Sequence, residues 1–201
     1  MQLQHVSLHT ADISPDTLKQ LPAADALVFS CPLYVDGIPA HLLSCLVKLE
    51  ELLSKSTHPE NHAVRVYALV NCGFYEGIQA EYALQIFQNW CNKTGFHWSG
   101  GIGIGGGLSQ MTAPKPGQGP KTPVDHALHE LADIILTGKT IENKYVSVAF
   151  PRFLYKMAAQ LGWRQMIRAN GKEHEISVIG HRQKMKRRYN KRRHFFQRNT
   201  L

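Results

Sequence analysis

Apolar positions along the chain fall into two alternating rhythms: short continuous runs, and longer stretches in which they return every three or four residues. The first is the pattern of strands covered on both faces, the second that of helices with one buried stripe. Residues 26–30 (Ala-Leu-Val-Phe-Ser) and 64–70 (Val-Arg-Val-Tyr-Ala-Leu-Val) are runs of the first kind, and residues 96–104 form a glycine-rich third. Residues 40–54 place Leu42, Leu46, Leu49 and Leu53 at helical spacing, with Lys48, Glu50, Glu51 and Lys55 off the stripe. Residues 78–93 repeat the pattern with Ala83, Ile86, Phe87 and Trp90, and Gly95 follows where a C-cap glycine belongs. Strand and helix in alternation predict an α/β protein with a parallel sheet covered by helices.

The run 26–30 is expected at the centre of that sheet, and residues 5–8 offer a short first strand. Ser14-Pro15-Asp16 reads as an N-cap followed by proline at the first helical position, opening a helix to about Leu21. Residues 105–122 hold Gly105, Gly106, Gly107, Pro114, Pro116, Gly117, Gly119 and Pro120, which predicts a long surface loop. A helix over 123–137 opens with proline and ends at Gly138, and a last helix over 151–168 carries Leu154, Met157, Ala158 and Leu161. Residues 140–150 are ambiguous, with an extended conformation one reading.

A chain of 201 residues fits one domain, which we place at residues 1–180 with a basic tail at 181–201. The net charge of +8 suggests a polyanionic partner until it is located. Nine Lys or Arg residues and no acid lie from 181 onward, so the first 180 residues carry a net charge of −1. Cys31, Cys45, Cys72 and Cys91 are widely spaced with no C-x-x-C pair, which predicts reduced, buried thiols. With no signal-peptide pattern at the start and no apolar run of about 20 residues, the expectation is a cytoplasmic protein without a membrane span. His126 and His129, three apart on a predicted helix, lack a third ligand, so no metal site is expected.

Ligands of open parallel sheets bind where the carboxyl ends of strands meet helix N-termini. Two short loops fall there. In residues 31–39, Pro32 limits hydrogen bonding, Tyr34 offers a flat amphipathic ring and Gly37 permits unusual backbone angles. In residues 71–77, Gly73 and Gly77 would let backbone N–H groups point into the cleft, where they could bind the electron-rich edge of a heterocycle; an ordinary strand-to-helix turn is the equal alternative. The loop 105–122 is a candidate cover. Gly101-x-Gly103-x-x-Gly106 matches a dinucleotide fingerprint but is followed by breakers instead of the required helix, and is rejected.

Residues 25–39, 68–77, 90–107 and 151–171 together resemble the NAD(P)H-dependent FMN reductases with a flavodoxin-like fold, over roughly residues 24–172. The resemblance implies a three-layer sandwich with FMN held by Pro32, Leu33, Tyr34, Val35 and Gly37 and by Asn71, Cys72, Gly73, Phe74 and Gly77. It also implies hydride transfer between NAD(P)H and the flavin, no catalytic side chain, and a homodimer.

The family begins with a strand and a phosphate-wrapping loop that this sequence does not display; Met1 falls near the family's second strand. In the order 2-1-3-4-5 the missing strand would lie beside the run 26–30. Either an upstream segment provides it, or residues 5–8 move into the vacancy and give a sheet of about four strands. In the second case Thr10 and Ser14 would stand at the phosphate position, with Asp12 repelling the dianion. Losing two or three charge-assisted bonds would weaken FMN binding by roughly two orders of magnitude or more. The rival expectation is a non-enzymatic flavodoxin-like module. It would act by protein association or through residues 186–196, where cations interleave with aromatics suited to weak contact with nucleic acid or an anionic surface.

Overall fold

The computed structural model describes residues 2–8, 10, 13, 14, 17, 20–55, 64–107 and 119–171. The chain divides into two compact units, Met1–Phe150 and Pro151–Leu201.

The first unit is a flavodoxin-like α/β sandwich. Strand β1 (Ala26–Pro32) leads to helix α1 (Ala40–Lys55), and β2 (Arg65–Asn71) leads through a 3₁₀ turn (Gly77–Ala80) to α2 (Glu81–Thr94). Strand β3 (His97–Ile104), α3 (Thr122–Thr137) and β4 (Lys144–Val146) complete it. Among the described residues the four strands pair in parallel throughout and their spatial order is the chain order, β1-β2-β3-β4. Helix α2 ends as predicted, with Gly95 at φ 78° and its N–H donating to the Cys91 carbonyl. A bulge at Ser99 shifts the β2–β3 register, and Gly100 absorbs it at φ 114°.

Alternation along each strand divides the side chains between two cores. Phe29 and Cys31 of β1 and Val66, Ala68 and Val70 of β2 pack with Leu42, Leu46 and Leu49 of α1 and Leu84, Phe87 and Trp90 of α2. On the opposite face Tyr67, Ile102, Ile104 and Val146 pack with Val124, Ala127 and Leu131 of α3. Three layers result, as the sequence predicts.

Two strand expectations are corrected. Residues 5–8 join no strand; Leu8 packs against the first core instead, which turns that side chain to the helix-covered face and leaves the segment outside the ladder. The run 26–30 is not central: among the described residues β1 pairs only with β2 and forms an edge. The fourth strand is β4, within the stretch whose pattern was ambiguous. Its three residues are too few to display a period.

In the second unit, helix α4 (Arg152–Ala169) follows Pro151 and has no buried residue among those described. Among the described residues no helix is long and apolar enough to cross a membrane. Residues 172–201, including the predicted tail, lie outside the described residues.

Candidate functional site

The two loops singled out in the sequence lie side by side, because β1 and β2 are adjacent and parallel, with Pro32 opposite Asn71. One further bond ties them: the Leu33 N–H donates to the Asn71 carbonyl at 2.8 Å.

Beyond Leu33 the first loop makes a two-residue hairpin. Tyr34 and Gly37 exchange N–H···O bonds at 2.9 and 3.0 Å around Val35 (φ 47°) and Asp36 (φ 63°). Positive φ at both central residues is the type I′ geometry, which favours Asn-Gly. The backbone demand expected of Gly37 therefore falls on Val35 and Asp36. A β-branched residue in this region costs roughly 1–2 kcal/mol. Val35 is 98% exposed, so packing recovers none of it. Val35→Asn is accordingly expected to raise unfolding stability by about 0.5–1 kcal/mol, read from the urea midpoint. An unchanged or lower midpoint would contradict the strained turn.

The second loop is held by three backbone hydrogen bonds to the end of β3 and the residues that follow it. The Cys72 N–H donates to the Ile104 carbonyl at 2.8 Å, the Gly107 N–H to the Cys72 carbonyl at 2.9 Å, and the Gly106 N–H to the Phe74 carbonyl. The Tyr75 hydroxyl donates to the Phe150 carbonyl at 2.8 Å. The Gly77 N–H, for which the sequence leaves a cleft-facing position and an ordinary turn as equal alternatives, donates to Ser147 Oγ at 3.2 Å. A Cβ at Gly77 would lie 2.5 Å from the carbonyl oxygens of both Gly103 and Val146, so glycine here serves close approach. Gly73 faces open space. Ser147 and Tyr75 are anchors that sequence reasoning missed; each bonds across at least 70 residues, and no local spacing signals that.

What the loops present is largely apolar. Tyr34 is 59% and Phe74 55% exposed, and both loops leave the carboxyl ends of adjacent strands. Cys72 is buried beneath them, and burial pushes its thiol above the ordinary range. At neutral pH it is a packing group and not a nucleophile. The charged residues in the two loops are acids, Asp36 and Glu76, with no cation in either.

This surface suits one face or edge of a planar heterocycle but offers no counter-charge for a phosphate. The phosphate position considered for Thr10 and Ser14 is not formed. With residues 5–8 outside the sheet, the Thr10 carbonyl accepts from Cys45 Sγ, and Ser14 Oγ accepts the Thr17 N–H at 3.1 Å as a helix cap does. The proposed cover lies mostly outside the described residues; Gly105 to Gly107 continue from β3, and a 3₁₀ turn at Gly119–Lys121 enters α3.

No family model matches the chain, and neither a curated protein nor a solved structure does. The fold itself defines a class: an α/β protein of flavodoxin-like architecture.

Proposed function

We propose that the protein binds a flavin against the loops 31–39 and 71–77 and acts as an oxidoreductase of the NAD(P)H-dependent FMN reductase type. The observation carrying this reading is the pairing of the two loops at the carboxyl ends of adjacent parallel strands, with the Tyr34 and Phe74 rings exposed at the rim. Such strand ends are where open α/β sheets hold ligands. A bound flavin would provide the electron chemistry, accepting hydride from a reduced nicotinamide. The residues of this chain provide position and polarity. The hairpin at Tyr34 and Gly37 sets one wall, and the loop anchored by Tyr75 and Ser147 sets a second wall that cannot drift. Since neither loop carries a cation, recognition rests on the ring system and weakly on the phosphate.

The test is a visible-absorbance titration of the full chain with FMN and, separately, riboflavin, followed by anaerobic addition of NADH or NADPH. A perturbed flavin band and bleaching by nicotinamide are expected. Tyr34→Ala and Phe74→Ala should each weaken binding by roughly tenfold, the loss of one aromatic contact of about 1–1.5 kcal/mol. An unperturbed spectrum at about 100 µM of either flavin, a concentration that saturates cofactor sites of ordinary affinity, would overturn the reading.

A further inference from the structure

Helix α4 leaves its largest apolar side chains in water. Phe153, Met157, Leu161 and Trp163 are between 53% and 65% exposed, and the helix has no buried residue among those described. A surface helix ordinarily hides such a stripe against a core. Here it stands open, on a helix whose four charged residues, Arg152, Lys156, Arg164 and Arg168, are all cations.

Side chains four apart stack along a helix, which sorts this surface into three neighbouring rows. Tyr155, Ala159 and Trp163 make one row and Lys156, Gln160 and Arg164 the next, and together they line a surface groove. Phe153, Met157 and Leu161 make the third, on the far side of the cations. A cationic row thus runs between an aromatic row and an apolar one.

We propose that α4 is a membrane-surface helix, lying in the headgroup plane of a bilayer that contains anionic phospholipid. Lys156 and Arg164 reach lipid phosphates, and the rows on either side enter the acyl boundary. Long cationic side chains bury their stems and carry the charge outward, while Trp and Tyr rings settle at headgroup level. Cations repeated along about 27 Å of helix rule out a transverse span, so the helix lies flat.

Charge selects this occupant. No Asp or Glu occurs between residues 144 and 172, so an anionic surface meets no repelling group along the helix. The continuation of the chain is a poor cover, because residues 172–201 hold ten Lys or Arg and two acids. A second copy of α4 would bring the same four cations. A protein groove takes an apolar helix face with the charges outside it, whereas here the cations lie between apolar rows. Nucleic acid would satisfy the cations and stack on Trp163, yet leave Phe153, Met157 and Leu161 in water. An anionic bilayer offers phosphates and hydrocarbon within the width of one helix. Contact at α4 needs neither a bound flavin nor residues 186–196.

Co-sedimentation of the full chain with vesicles tests the proposal, using phosphatidylcholine alone and phosphatidylcholine with about 30% phosphatidylserine. Sedimentation with the anionic vesicles only is expected, with a blue shift of tryptophan emission that Trp163→Phe removes. Lys156→Gln combined with Arg164→Gln should weaken partitioning roughly 25-fold, about fivefold for each cation near an anionic surface. Phe153→Ser leaves every charge in place and should weaken it roughly tenfold. All three positions are exposed, so the circular dichroism spectra should match the parent. A purely electrostatic contact, through the basic tail or to any polyanion, would ignore Phe153→Ser. No sedimentation with the anionic vesicles, equal sedimentation with the neutral ones, or a Phe153→Ser variant that binds like the parent would overturn the proposal.

Discussion

Trp90→Ala is expected to lower unfolding stability by about 3–5 kcal/mol, the range seen when a large buried aromatic is truncated. Trp90 joins three elements at one point. Its ring meets Phe29 of β1 at 5.7 Å and 86° and Phe96, just before β3, at 5.5 Å and 72°, both edge-to-face. Its Nε1–H donates to the Leu46 carbonyl of α1 at 2.9 Å. Truncation would open a cavity between α1, α2 and the sheet and also remove that bond. Trp90→Phe keeps much of the ring and loses the N–H, so a smaller loss of about 1–2 kcal/mol is expected. Urea unfolding followed by circular dichroism separates the two variants. Equal losses would mean that the hydrogen bond, and not the packing, dominates at this position.

Gly77→Ala is expected to cost about 3 kcal/mol, although it adds a single methyl group. That methyl would lie 2.5 Å from the Gly103 and Val146 carbonyl oxygens and 2.8 Å from the Val146 nitrogen. All three are backbone atoms, so no side-chain rotation relieves the overlap. Either the 71–77 loop lifts off β3, breaking the Gly106 and Gly107 bonds, or β4 separates from β3. Hydrogen exchange at Cys72, Gly106 and Gly107 distinguishes these routes, and faster exchange there is the expected result. A variant as stable as the parent would show that the loop is not packed in this way.

Helices were legible because their stripes are long. The leucines of α1 predict residues 40–54 and the helix is Ala40–Lys55; the proline and glycine around α3 predict 123–137 and the helix is Thr122–Thr137. The strands at 64–70 and 96–104 were likewise found within a residue of their observed bounds. Position within the sheet was not legible for β1. A continuous apolar run shows that a strand is buried somewhere, and cannot separate an edge covered on one face from a centre covered on both. The site was half legible. Loops 31–39 and 71–77 were found from their breakers, and their adjacency follows from the parallel pairing of β1 and β2. The roles of their glycines were left open for a physical reason. Gly77 answers to β3 and β4, which arrive from about 25 and 70 residues downstream, and Val35 takes a backbone conformation that its own residue type disfavours.

The glycines that weld residues 71–77 to β3 divide the site into a part that can vary and a part that cannot. Each substitution at Gly77 or Gly103 collides with backbone, so heritable change is confined to side chains that point away from the weld. Residues 34–36 are under no such restraint, as the hairpin they form is solvent-exposed and closed by its own two bonds. A lineage, or an engineer, seeking a different ligand for this scaffold would therefore find its freedom in residues 34–36 at the end of β1 and in the exposed positions Gly73 and Phe74, and none at the glycines of the weld.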